Sequence, residues 1–207
     1  MAFADQLRLM VLTDPVLLKG GGRDPVALCH AAVRGGASMI QVRWKDGAAA
    51  DVLQLARALV SALPVPVLVN DRVDVALAAG AAGAHLGQDD PPLDRLRSHV
   101  PPGFLLGISV GTVEEAARAR PWPADYWSVG PCFPTANKPD AGPALGPDGF
   151  AMLARLAPDG VPVIGIGGIT VERAPSIRRA GAAGIAVLGA VLGAPDPEVA
   201  ARALIAV

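Results

Sequence analysis

Short apolar segments alternate with amphipathic helical segments along the whole 207-residue chain. Strands separated by helices run parallel, because each right-handed crossover returns the chain to the same end of the sheet. The strand segments are residues 8–13, 38–44, 65–69, 83–86, 104–109, 126–130, 161–166 and 184–188. A helix begins at Asp24-Pro25, a cap followed by a proline suited to the first turn, and ends near Gly35-Gly36. Further helices are expected over residues 49–63, 72–79, 93–99, 113–120, 148–156, 171–180 and 197–206. Eight such pairs fit an α/β fold of one kind, a closed (β/α)8 TIM barrel spanning residues 1–207 as a single domain, better than an open doubly wound sheet. With about 250 residues typical of that fold, this is a compact version with short loops. The runs Gly80-Ala81-Ala82-Gly83 and Gly181-Ala182-Ala183-Gly184 each precede a strand and read as tight helix-to-strand turns at the bottom of the barrel.

The strand ends carry the chemistry. In Gln41-Val42-Arg43-Trp44-Lys45, alternation along a strand puts Gln41, Arg43 and Lys45 on one face and Val42 and Trp44 on the other. A planar guanidinium fork beside a mobile ammonium suits an anion, although a solvated strand end is equally compatible with these residues. Asn70-Asp71 and Asp90 follow the next two strands; either acid can cap a helix, and the two together can share a hard cation. Mg2+ takes a few carboxylates, completing its shell with substrate phosphates and water. Ser109 ends the fifth strand, as a phosphate donor or a helix cap. Thr135, Asn137 and Lys138 lie in a long Pro/Gly-rich loop over residues 131–147, and loops of that length in compact domains are often functional. Gly165-Ile166-Gly167-Gly168 and Leu188-Gly189 follow the seventh and eighth strands, where barrels commonly hold a phosphate. The first of these is neither a P-loop, which ends in GK[ST], nor a dinucleotide fingerprint.

Composition limits the partners. Hydrophobic residues make up 52% and charged residues 18%, enough for a sizeable core, and the net charge of −1 argues against nucleic-acid binding through counterion release. No apolar run is long enough to span a membrane, and residues 1–14 lack the pattern of a signal peptide, so a soluble cytoplasmic protein is expected. Cys29 and Cys132 have no metal-ligand spacing and read as free thiols. His30 and His99 read as surface residues on helices, and His85, inside a short strand, as a satisfied core histidine. The sequence leaves open whether the chain forms a homo-oligomer.

Taken in order, Gln41-x-Arg43-x-Lys45, Asn70-Asp71, His85-Leu86-Gly87-Gln88-x-Asp90, Gly107-Ile108-Ser109, Gly130-Pro131-x-Phe133-Pro134-Thr135-x-x-Lys138 and Gly165-Ile166-Gly167-Gly168-Ile169 resemble the thiamine-phosphate synthase family from about residue 9 to about residue 191. The resemblance implies a Mg2+-dependent transferase that joins 4-amino-2-methyl-5-pyrimidinylmethyl diphosphate to 4-methyl-5-hydroxyethylthiazole phosphate, releasing pyrophosphate. It implies pyrimidine diphosphate contacts from Gln41, Arg43, Lys45, Asn70, Ser109 and Lys138, and Mg2+ ligands in Asp71 and Asp90. It also implies thiazole phosphate contacts from Thr135, Ala136, Asn137, Gly168, Leu188 and Gly189. Asn137 stands where the family usually has threonine, Gly189 where serine is common, and Trp44 where a charged residue is usual. Two other functions are compatible with such a barrel: a thiazole tautomerase of the same superfamily, which needs a proton-transfer residue, and a non-catalytic sensor of phosphorylated ligands.

Overall fold

The computed structural model describes residues 3–14, 24–135 and 142–207. Its parallel strands close in sequence order into a barrel, β1-β2-β3-β4-β5-β6-β7-β8. They are β1 (Leu9–Leu12), β2 (Met39–Val42), β3 (Val67–Asn70), β4 (Gly83–Leu86), β5 (Leu105–Val110), β6 (Tyr126–Val129), β7 (Val163–Ile166) and β8 (Gly184–Val187). The helices are α1 (Phe3–Gln6), α2 (Pro25–Arg34), α3 (Ala49–Ala62), α4 (Val73–Ala79), α5 (Leu93–Leu96), α6 (Val113–Ala119), α7 (Gly146–Ala154), α8 (Ala174–Arg179), α9 (Gly189–Leu192) and α10 (Pro197–Ala206).

Alternation along each strand separates two cores. Outward residues such as Ile40, Val42, Trp127 and Val129 pack against the helix ring, with Val52, Ala56 and Leu59 of α3 among their partners. Inward residues Met10, Leu12, Met39, Leu68, Tyr126, Ile164 and Ala186 fill the barrel, closed from below by Leu7 and Phe3. Phe3 packs on Tyr126 at a ring separation of 6.5 Å. Each fully buried Leu or Ile in these layers stabilises the fold by about 1.5–3 kcal/mol. The interior is therefore packed up to the level of Gln41 and His85, and polar groups begin above it.

The sequence-based boundaries shift by a few residues at most element ends. Pro66 has no N–H for the ladder and contributes only its carbonyl, which accepts from Ile40 N, so β3 begins at Val67. The helix expected over residues 93–99 is α-helical only to Leu96 and tightens to a 3-10 turn over Arg97–His99. Asp24 caps α2 as expected, its carboxylate accepting from Val26 N at 3.0 Å. Gly80 and Gly181, with φ of 68° and 101°, make the paired turns into β4 and β8, a conformation that costs L residues with a side chain.

Candidate active site at the carboxyl ends of the strands

At the end of β2, Gln41 points into the barrel and is only 2% exposed, while Trp44 packs against the outer core, so the expected alternation holds. Arg43 is anchored through its backbone: its N–H donates to Thr13 Oγ1 at 2.9 Å, and the same hydroxyl donates to the Arg43 carbonyl at 3.3 Å. Its guanidinium meets Asp14 at 3.5 Å, with both side chains largely buried. Lys45 is exposed at the rim. Thr13 and Asp14 form the polar tip of β1, which sequence reasoning missed; the signal was a Thr-Asp pair ending an apolar run, the same pattern as on the other strands.

Asp71 follows β3 with φ of 62°, the only non-glycine residue in the left-handed region among the described residues. Its N–H donates to the His85 carbonyl at 2.7 Å, which fixes the turn. Across this turn Asp90 accepts from Gly87 N at 2.7 Å and hydrogen-bonds the Asp71 carboxyl. Burial and the neighbouring Asp90 push the Asp71 carboxyl up to about 6, opposed by the positive charges of Lys45 and Arg43. Two carboxylates, an ammonium and a guanidinium from neighbouring strand ends therefore share one field. The alternative reading as helix caps does not hold, because Arg72 occupies the N-cap of α4 and Pro92 that of α5, neither with a side-chain cap bond. No group of three or more His, Cys, Asp or Glu side chains among the described residues is placed to hold a metal ion. Two carboxylates with an oxygen-rich substrate suit a hard ion such as Mg2+, and the burial and like charge that raise Asp71 mark a position where added positive charge is favourable.

Ser109 lies near the end of β5, half-buried, and does not cap the next helix; Thr112 does so for α6 by accepting from Glu115 N. The Ser109 carbonyl accepts from Gln88 Nε2 at 2.7 Å. Its hydroxyl lies 2.9 Å from His85 Nε2, and His85 Nδ1 lies 2.8 Å from the Tyr126 hydroxyl. His85 is thus the satisfied buried histidine that the sequence suggested, 5% exposed. Its connection to a candidate site residue went unseen, as did Tyr126, the chain's one tyrosine.

On the other side of the mouth, Gly167 and Gly168 have φ of 93° and 61°. Phe133 N donates to the Gly167 carbonyl at 3.0 Å, and a Cβ on Gly168 would strike the carbonyls of Phe133 and Pro134. The turn and the segment leading to Thr135 are therefore docked together. Arg173 clasps both: Nη1 donates to the Gly168 carbonyl at 2.8 Å, and the guanidinium lies 5.0 Å from the centre of the Phe133 ring. Arg173 was also missed, having no special spacing in the sequence. Leu188 stands at the N-cap of the four-residue α9, which opens at Gly189. Ala136, Asn137 and Lys138 lie outside the described residues.

The geometry brings Arg43, Lys45, Asp71 and Asp90 together, with His85 joining the Asp71 turn to Ser109, while Phe133 and Pro134, just before Thr135, sit against Gly168. No described helix is long and apolar enough to cross a membrane. A profile of the family described as thiamine monophosphate synthase matches residues 9–191. A thiamine-phosphate synthase of Roseiflexus castenholzii is 52% identical over 187 residues, covering 89% of this chain and 81% of that protein. One of Methanospirillum hungatei is 43% identical over 198 residues, covering 94% of each. A solved structure of thiamine phosphate pyrophosphorylase from Pyrococcus furiosus superposes with a TM-score of 0.87 at 33% identity, covering 98% of this chain and 96% of that one. A profile match over most of the chain, relatives at this identity and the same closed barrel place it without ambiguity: the chain belongs to the thiamine monophosphate synthase family of transferases.

Proposed function

We propose that this protein, as a single TIM-barrel domain in the cytoplasm, condenses 4-amino-2-methyl-5-pyrimidinylmethyl diphosphate with 4-methyl-5-hydroxyethylthiazole phosphate to give thiamine phosphate and pyrophosphate. The observation that carries the reading is the Asp71–Asp90 pair with Arg43 and Lys45 in the same field, a set matched to a diphosphate and its counter-ion. The C–O bond to the diphosphate breaks first, and the leaving group takes the electron pair. The aminopyrimidine stabilises the methylene cation, and the thiazole nitrogen closes the C–N bond with its own lone pair. No proton has to be removed from that nitrogen, so the reaction needs no dedicated base, and positioning with charge stabilisation carries catalysis.

Gln41 and Asn70 orient the pyrimidine diphosphate, while Arg43, Lys45, Ser109 and Lys138 hold its phosphates. Asp71 and Asp90 would hold Mg2+, which would supply positive charge against the departing diphosphate. Thr135, Ala136 and Asn137 meet the thiazole phosphate, whose phosphoryl group sits on the backbone of Gly168, Leu188 and Gly189. The roles of Lys138, Ala136 and Asn137 rest on the family resemblance. Replacing Asp71 or Lys138 by Ala abolishes turnover with the fold intact by circular dichroism. Near-normal turnover in either variant contradicts the assignment.

A further inference from the structure

Three inward side chains from three strands form one hydrogen-bonded line beneath the strand ends. The Tyr126 hydroxyl of β6 stands at one end, near the Gln41 amide of β2, which donates to Met10 Sδ at 3.5 Å. That hydroxyl lies 2.8 Å from His85 Nδ1 of β4, and His85 Nε2 lies 2.9 Å from Ser109 Oγ of β5. The imidazole also stacks on the Tyr126 ring at 5.4 Å and 28°, so its orientation is fixed by packing as well as by hydrogen bonds. Tyr126 is fully buried and His85 nearly so.

The line has a direction. Burial holds the Tyr126 phenol in its protonated form, with His85 Nδ1 beside it at 2.8 Å. The single phenolic proton then goes to His85 Nδ1. A neutral imidazole that accepts at Nδ1 carries its own proton on Nε2 and donates it to Ser109 Oγ. With His85 supplying a proton, Ser109 cannot direct its hydroxyl hydrogen back along the line. That hydrogen is left for the site.

We propose that His85, oriented by Tyr126, is a positioning residue that holds Ser109 as a hydrogen-bond donor toward the pyrimidine diphosphate. This rests on the synthase reading of the site. A histidine serving only to satisfy buried groups would tolerate either tautomer. It would also leave the effects of Tyr126 and Ser109 substitutions independent.

Two measurements on the full chain test the proposal. The first is the tautomer of His85, read by nitrogen NMR of protein labelled at its histidines, which is independent of activity. A protonated Nε2 and bare Nδ1 are expected; a protonated Nδ1 overturns the relay. The second is a double-mutant cycle. Tyr126→Phe removes one oxygen and lowers kcat about tenfold, the order seen for outer partners that orient a functional group. In a Ser109→Ala background the same change lowers kcat no further, because residues acting as one unit are not additive. Equal losses in both backgrounds overturn the proposal, as does a Tyr126→Phe enzyme with unchanged kcat. A wild-type protein that forms no thiamine phosphate overturns the synthase reading instead, while the tautomer still decides the relay.

Discussion

The Asp71 carboxyl hydrogen-bonds the Asp90 carboxyl across the ends of two neighbouring strands, so the two acids share a proton in mild acid. In the metal-free protein Asp71, raised to about 6 by burial and by Asp90, is protonated in mild acid and ionised at neutral pH. Aspartate in the unfolded chain ionises near 3.9. A carboxyl raised on folding contributes stability that is complete below its unfolded value and is lost as pH rises through its folded value. The metal-free protein therefore loses this contribution between about pH 4 and pH 6.

Mg2+ must displace that proton in acid but not at neutral pH. The rise in melting temperature produced by saturating Mg2+ is accordingly larger at pH 7.5 than at pH 5. Equal shifts at the two pH values, measured by thermal denaturation, contradict the pairing.

Asp71→Asn removes the repulsion and keeps a residue type that tolerates the left-handed conformation. Because the site is partly open to solvent, the gain is discounted to ~1 kcal/mol, or roughly 2–4 °C in the metal-free melting temperature at pH 7.5. The variant is inactive and gains no further stability from Mg2+. A stability–activity exchange of this kind is expected where a site concentrates like charge.

Thr13→Val keeps the shape but leaves both backbone groups of Arg43 without the hydroxyl that now joins them. Two lost hydrogen bonds at a fully buried residue cost about 1–3 kcal/mol. Because Arg43 loosens, KM for the pyrimidine diphosphate rises about tenfold while that for the thiazole phosphate stays the same. Steady-state kinetics with each substrate varied in turn checks this, and parallel changes in the two KM values contradict it.

Gly168→Ala adds a Cβ against the Phe133 and Pro134 carbonyls, at a positive φ that disfavours alanine. The expected loss of stability is about 1–2 kcal/mol, and the displaced turn raises KM for the thiazole phosphate about tenfold, leaving the diphosphate side unchanged. A normal thiazole-phosphate KM removes Gly168 from that subsite.

Much of the barrel is legible in the residues, and the reasons are local. β4 and α10 have the bounds expected, because a turn glycine sets the approach to one and Asp196 with Pro197 caps the other. α9 was not foreseen: Gly189–Leu192 is too short to show a period and has no side-chain cap. The polar tips announced Arg43, Asp71 and Asp90 as candidates. The unusual backbone of Asp71 was invisible, since Asn-Asp before a helix reads as a cap until Arg72 is seen in that place. The Tyr126–His85–Ser109 line lies across β4, β5 and β6, and only strand register brings those residues together.

The most direct test mixes the purified protein with both substrates and Mg2+ and quantifies pyrophosphate and thiamine phosphate in the same reaction. The account predicts equal amounts of the two products, and neither without the metal. A folded protein that binds the thiazole phosphate yet forms neither product contradicts it.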